Sequence, residues 1–344
     1  MPSTAVLEST FLSSSVQHDR ESLNKKVIEN PSNPASSSSN ASFSLPRSLR
    51  HEVNITSRLL RSNAVGFLFI FMGAAFARII RVPLSWIENV LAIIESLILT
   101  VVISYIFDIC NQTTAPDEDY VNKPHRPIPA GLITMKEANT RRILSWALTP
   151  LALWKTAGFW AMIHLWSWEL LITFCYIWPR WFSWFMRNFF ASYSYCILAR
   201  LVNQVLMRYG GEAWNIPWTI GYSIFVWFMG SIHIQEFYDL EGDRQSDRKT
   251  LPMLLSPRGL EVLRAATSTF LVAFALGLAC CGYLKMSQDT LTGPMSLFQL
   301  VLSLHLAHRV VALDSPEMDR RTYHTYYYPT VLCILFTLVL VTPD

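Results

Sequence analysis

Charge is what this chain has least of. Only 15% of its 344 residues are Asp, Glu, Lys or Arg, against about 25% in an ordinary soluble domain. With 51% hydrophobic residues and a mean hydropathy of +0.28, that deficit points to a membrane protein. An excess of either sign is missing as well. The formal net charge is +3, which excludes the broad basic footprint of a nucleic-acid binder. Cysteine is sparse: Cys110, Cys175, Cys196, Cys280, Cys281 and Cys333 all lie in or beside apolar stretches, with no CxxC and no Cys/His metal spacing. A disulfide framework and a zinc site are thereby excluded, and small buried apolar residues are left. No signal-peptide pattern opens the chain. Residues 1–45 are polar and Ser-rich but contain Glu8, Asp19, Glu21 and Glu29, unlike an acid-poor mitochondrial presequence. They have too few apolar residues to bury a core and are expected to form a disordered cytosolic tail.

Long apolar runs are abundant. A membrane-crossing helix needs about 20 mostly apolar residues. Roughly nine stretches approach that length, near 63–80, 84–110, 143–162, 163–178, 188–207, 217–237, 260–284, 294–312 and 323–342. Pro150 and Lys155 interrupt the third. The chain is therefore expected to be an all-α, multi-pass bundle. Just before the first stretch, Leu49, Val53, Ile55, Leu59 and Leu60 alternate with Arg47, Arg50, Arg58 and Arg61, as in a helix lying on a membrane surface. Basic residues set the orientation. With the tail in the cytosol, that side collects Arg58, Arg61, Lys123, Arg126, Arg141, Arg142, Arg187, Arg244 and Lys249 among others, and the far side keeps Arg78, Arg81, Arg208 and Lys285.

Two of these stretches end in acid. The second runs into Asp108, Asn111, Gln112, Asp117, Glu118 and Asp119, then Lys123, Pro124, His125 and Arg126. The sixth runs into Glu236, Asp239, Glu241, Asp243 and Asp247, then Arg248, Lys249 and Pro252. Asp108, Asn111, Ala115 and Asp119 advance by three, four and four residues, and so do Glu236, Asp239, Asp243 and Asp247. Such steps keep side chains on one helix face. Carboxylates crowded on one face repel, so they call for a cation. Oxygen donors of this kind suit Mg²⁺, which is held by a few carboxylates together with substrate phosphate. The Lys and Arg residues that follow suit phosphate oxygens. An acidic cradle and a basic clamp, twice, against an apolar interior fit a substrate with a diphosphate head and a hydrocarbon tail. Either loop alone could be a solvated connection, but matched steps in both make that reading weak. A transporter with intramembrane acids is the competing class, disfavoured because these acids sit at helix ends beside basic residues.

The two loops resemble the UbiA superfamily of intramembrane prenyltransferases. Its first motif is Asn-Asp-x-x-Asp-x-x-x-Asp followed by Arg-Pro-x-Pro-x-Gly. Asn111, Asp119, Asn122 and the run Arg126-Pro127-Ile128-Pro129-Ala130-Gly131 match it. Its second, Asp-x-Glu-Gly-Asp-Arg, is matched by Asp239, Glu241, Gly242, Asp243 and Arg244. Gln112 and Ala115 replace two carboxylates of the first motif, which leaves the second as the principal metal site. The resemblance implies a horseshoe of about nine helices around a central cavity, spanning residues 46–344. It implies catalytic, Mg²⁺-binding roles for Asn111, Asp119, Asp239 and Asp243, with Asp247 as a further ligand. Diphosphate would be held by Lys123, Arg126, Arg248, Lys249 and Arg61. Details of the first loop are similar to a fungal branch that includes terpene cyclases of secondary metabolism. The implied reaction is ionisation of an isoprenyl diphosphate, farnesyl diphosphate first among candidates, and cyclisation to a terpene. Transfer of the prenyl group to an aromatic acceptor is the alternative. Trp146, Trp154, Trp160, Tyr176, Tyr195, Tyr222, Trp227 and Tyr238 are candidates to face the resulting cation, though packing or interface anchoring accounts for any single one. The expected partners are the isoprenyl diphosphate and the lipid bilayer, and the expected location is the endoplasmic reticulum membrane.

Overall fold

The computed structural model describes residues 47–342 apart from 62, 82–83, 115, 117–118, 121–122, 179–182, 212–214, 246–248, 286–289 and 313–314. The tail expected at 1–45 lies outside the described residues. From Arg47 on, the chain forms one compact unit of helices, with no strand among the described residues. It enters through α1 (Arg47–Leu60) and turns into α2 (Ala64–Arg81). Next come α3 (Trp86–Thr114), α4 (Met135–Ala157) and α5 (Phe159–Ile172), which runs into a π-turn at Thr173–Ile177. α6 (Trp184–Gly210) and α7 (Trp218–Ser231) follow, and α7 tightens into a 3-10 turn, Ile232–Glu236, ahead of the short α8 (Leu240–Gln245). The last elements are α9 (Pro257–Lys285), α10 (Thr292–Ala312), α11 (Pro316–Arg321), a π-turn at Thr322–Tyr327 and α12 (Tyr328–Val341).

Five stretches among the described residues are long and apolar enough to cross a membrane: Trp86–Thr114, Phe159–Ile177, Pro257–Lys285, Thr292–Ala312 and Pro316–Val341. α6 and α7 fall short for physical reasons. α6 buries Asn188, Ser192, Ser194, Arg200 and Asn203 inside the protein, which lowers its hydropathy. α7 is only 14 residues long before its backbone tightens. The break expected at 162/163 falls instead at Gly158, whose φ of 91° only glycine adopts readily. Pro150, read as an interruption, sits inside α4. Thr134 starts that helix with a reciprocal capping box: its Oγ1 accepts from the Glu137 N–H at 3.2 Å, and its own N–H donates to Glu137 Oε2 at 2.8 Å.

Successive long helices pack side by side from α2 to α10, with α12 packed on α10 and on α2. The two ends of the implied horseshoe are thus in contact here. α6 lies inward, against α2, α3, α4, α5 and α7. α1 turns part of its apolar stripe to the protein and leaves Leu49 and Val53 exposed. Ile55 and Leu59 are fully buried against Ile109, Ile128, Ile133 and Ala138. Glu52 clamps the helix to α4 through two hydrogen bonds of 2.7 Å from Arg141. That bond holds the Glu52 carboxyl below its usual range.

α9 and α10 approach closely at Gly282, where a Cβ would overlap the Ser296 side chain. Helix propensity favours Ala over Gly by about 1 kcal/mol, and overpacking costs about 1–3 kcal/mol. Because both Cβ and Oγ of Ser296 must move, the overlap should win. Gly282→Ala is expected to lower the thermal midpoint in detergent, and Ser296→Gly in the same background to recover it. No recovery would mean that this contact does not set the spacing.

Candidate active site

α3 carries Asp108, Asn111 and Gln112 in its last turns. Asp108 and Gln112, four residues apart, are fully buried, and Asn111 is half-buried. Asn63, in the turn between α1 and α2, donates its Nδ2 proton to Asp108 Oδ1. Among the described residues, Asp108 Oδ2 and both amide atoms of Gln112 have no hydrogen-bond partner. Farther along, buried Asp119 accepts from Arg126 Nη1 with both oxygens, at 2.8 and 2.6 Å. The loop between them is tied by the Lys123 N–H to the Asp119 carbonyl at 2.9 Å and the Arg126 N–H to the Lys123 carbonyl at 3.0 Å. Gly131, with φ of 68°, closes the Pro-rich run. Lys123 and Arg126 both act electrostatically on Asp108. A basic rim surrounds His125: Arg58 donates to its carbonyl at 3.1 Å. Desolvation, then the charges of Arg61, Arg126, Lys123 and Arg58, hold the His125 imidazole below its usual range.

The second acidic end is built from the 3-10 turn and α8. Glu236 and Asp243 are buried and Asp239 is exposed. The Asp243 N–H donates to the Asp239 carbonyl at 2.8 Å, which sets the two residues one turn apart. Arg187 reaches in from the first turn of α6: its Nε is 3.2 Å from Glu236 Oε1 and its Nη1 is 4.0 Å from Asp243 Oδ1. Ser183 caps that turn, its Oγ accepting from the Met186 N–H at 3.2 Å.

α6 links the two ends. Three residues after Arg187, Phe190 stacks on Phe107 at 5.8 Å, and Phe107 adjoins Asp108. Phe107 also meets Phe67, Trp168 and Tyr176. Toward the second end, Tyr195 stacks on Phe228 at 3.6 Å. The Tyr323 hydroxyl donates to Gln235 Oε1 at 3.2 Å and lies 2.8 Å from the Tyr328 hydroxyl. Of the candidate aromatics, Tyr176, Tyr195, Trp227, Tyr238 and Trp146 pack on the interior. Trp154, Trp160 and Tyr222 are exposed on the outer surface and do not face it.

The structure thus brings Asp119, Arg126 and Lys123 together with Asp108, and Asp243 together with Glu236 and Arg187. Asp239, Lys249 and Arg61 are exposed, with Arg61 on the basic rim around His125. Asp247 and Arg248 lie outside the described residues. Arg187 and Asn63 escaped the sequence reading. A basic residue opening a span looks like ordinary positive-inside charge, and no motif marks Asn63. No three His, Cys, Asp or Glu side chains gather into a ready-made metal site among the described residues. The donors nevertheless suit Mg²⁺: they are carboxylate and amide oxygens, and one of them, Asp108 Oδ2, is buried without a partner.

Residues 64–336 match the UbiA prenyltransferase family. The chain belongs to that family. It is therefore an integral membrane enzyme, and the transporter reading falls. Among similar UbiA-related proteins, the diterpene cyclase eriG of Hericium erinaceus is 28% identical over 239 residues, 67% of this chain and 71% of that protein. The polyprenyl transferase eriF of the same organism is 29% identical over 242 residues, 68% and 75% of the two chains. Somaliensene A/B synthase of Streptomyces somaliensis is 25% identical over 308 residues, 85% and 95%. A solved structure of digeranylgeranylglyceryl phosphate synthase shares the fold, with a TM-score of 0.54 at 16% identity over 85% of this chain and 97% of that one. The matched UbiA region takes in both acidic ends, from Asn111 through Asp243.

Proposed function

We propose that this UbiA enzyme ionises an isoprenyl diphosphate with Mg²⁺ and cyclises the hydrocarbon chain to a terpene. The observation that carries the reading is the second acidic end, where buried Glu236 and Asp243 bracket Arg187 beside an aromatic interior. Asn111, Asp119, Asp239 and Asp243, with Asp247, would hold the metal. Bound Mg²⁺ supplies charge that stabilises the departing diphosphate. Lys123 and Arg126, with Arg61, Arg248 and Lys249, would take the diphosphate oxygens. The Asp119–Arg126 pair would open to do so, each partner exchanging the other for substrate or metal. The C–O bond breaks with both electrons leaving on diphosphate, and the allylic cation remains among Phe107, Phe190, Tyr195 and Phe228. Ring faces stabilise such a cation by about 0.5–2 kcal/mol each. An alkene of the same chain then attacks it, and a proton is lost. The domain would be nine helices around a lipid-facing cavity in the endoplasmic reticulum membrane, with the tail of residues 1–45 in the cytosol, and the product would belong to fungal secondary metabolism.

Prenyl transfer is the second reading, favoured by the relative named a polyprenyl transferase. Farnesyl diphosphate is the proposed substrate. The relative named a diterpene cyclase makes the C20 homologue the one to test beside it. Enzyme in microsomes, given farnesyl or geranylgeranyl diphosphate and Mg²⁺ without acceptor, is expected to release a cyclic hydrocarbon detectable by gas chromatography. Product that forms only after a phenolic acceptor is added would establish transfer instead. No turnover of either diphosphate under both regimes would overturn both readings.

A further inference from the structure

We propose that the first diphosphate site of this chain is built on Asp108 and Gln112, with its carboxylate one helical turn deeper than the family pattern puts it. The inference rests on the metal-diphosphate reading above. The pattern begins at Asn111 and asks for carboxylates at positions 112 and 115, where this chain has Gln and Ala. Asp108 lies outside the pattern, so the resemblance gives it no role.

Three buried polar atoms argue for one. Asp108 Oδ2 and the Oε1 and Nε2 of Gln112 are enclosed and have no partner among the described residues. Buried polar side chains nearly always find partners, and those left over call for an absent ligand or water. Residues four apart on a helix are neighbours, so the three atoms belong to one patch. Two are oxygens of the kind a hard cation takes. The third is an amide donor, as a phosphate oxygen requires. Asn63 occupies only Asp108 Oδ1. It fixes the rotation of the carboxylate and leaves Oδ2 as the metal-facing atom, in the way an outer hydrogen bond orients a ligand. Lys123 and Arg126 act on the same carboxylate and supply positive charge for the diphosphate. The carboxylates missing at 112 and 115 are thereby replaced by one at 108, with Gln112 turned from anionic to neutral ligand. Asp108 is a metal ligand in this proposal and Asn63 a positioning residue.

The test is binding, not turnover. Purified enzyme in nanodiscs is titrated with Mn²⁺ in the presence of inorganic diphosphate, and bound ion is read by electron paramagnetic resonance. Asp108→Asn is expected to weaken diphosphate-dependent Mn²⁺ binding at least 10–100-fold, the range seen when even an outer-shell partner is lost. Asn63→Ala is expected to weaken it by about 10-fold. The relocation variant Asp108→Asn/Gln112→Asp moves the carboxylate back to the family position and is expected to recover most of the binding. Wild-type Mn²⁺ affinity in Asp108→Asn would overturn the proposal. So would lost binding that Gln112→Asp fails to recover, because the loss would then be structural. Asp243→Asn serves as the reference. If it abolishes binding while Asp108→Asn does not, this proposal alone fails. If neither variant changes binding, the metal-diphosphate reading fails with it.

Discussion

Asp243→Ala is expected to abolish diphosphate release from an isoprenyl diphosphate, by about 10³-fold. The magnitude follows from the several kcal/mol of charge stabilisation that a properly held cation supplies, at about 1.4 kcal/mol per decade of rate. Asp243 is buried, so its removal could also disturb the fold. Arg187 keeps Glu236 as a partner at 3.2 Å when Asp243 is lost, which limits that disturbance. Asp239→Ala gives the cleaner experiment. Asp239 is exposed, and truncating an exposed side chain usually alters stability by less than about 0.5 kcal/mol. A comparable loss of release in Asp239→Ala, with an unchanged thermal midpoint, can come only from the chemistry. Release is measured as free diphosphate from enzyme in nanodiscs under saturating Mg²⁺. Rates within tenfold of wild type in both variants would mean that the second acidic end is not where ionisation occurs.

How much of this was legible in the sequence depends on the range of the interactions involved. Apolar run length is local, and each apolar stretch read from the sequence overlaps a described helix, although 143–162 straddles the break at Gly158. The matched steps of Asp108–Asp119 and Glu236–Asp247 are local too, and the two acidic ends stand out for that reason. Gly158 was not legible as the α4–α5 break, because apolar residues flank it on both sides and its positive φ has no signature in one sequence. The amphipathic pattern of α1 reads the same whether the apolar face meets lipid or protein. Ile128, Ile133 and Ala138, contributed from far along the chain, cover Ile55 and Leu59, whereas Leu49 and Val53 stay exposed. Burial does not follow the family pattern. Asp239 carries a family position yet is exposed, whereas Asp108 and Glu236 lie outside the family pattern and are enclosed. Arg187 meets Glu236 and Asp243 only because α6 packs against the 3-10 turn, a contact between distant segments with no local trace.

The largest stability effect should come from a pair that touches no substrate. Arg264 of α9 donates Nη1 to Asp319 Oδ1 at 2.9 Å and Nη2 to Oδ2 at 2.5 Å, with a further bond to the Val310 carbonyl at 2.9 Å. Both side chains are buried. The guanidinium also lies 4.3 Å from the centroid of Phe237, the residue after Glu236. The pair therefore joins α9, α10 and α11 to the turn that presents the second acidic end. Asp319→Ala leaves a buried guanidinium without its counter-charge and is expected to cost about 3–5 kcal/mol. Replacing both partners with apolar residues, Arg264→Met/Asp319→Leu, removes the desolvation penalty together with the attraction and should cost far less. A double-mutant cycle on thermal unfolding in detergent separates the two terms. A single variant that costs under 1 kcal/mol would mean that water reaches the pair and that it is not a buried clamp. The double variant carries the functional consequence. It restores stability but not the charged face against Phe237, so the Glu236 turn loses its support. Release should then fall in an enzyme that is still folded, which identifies Arg264 as a positioning residue for the second acidic end rather than a generic staple of the bundle.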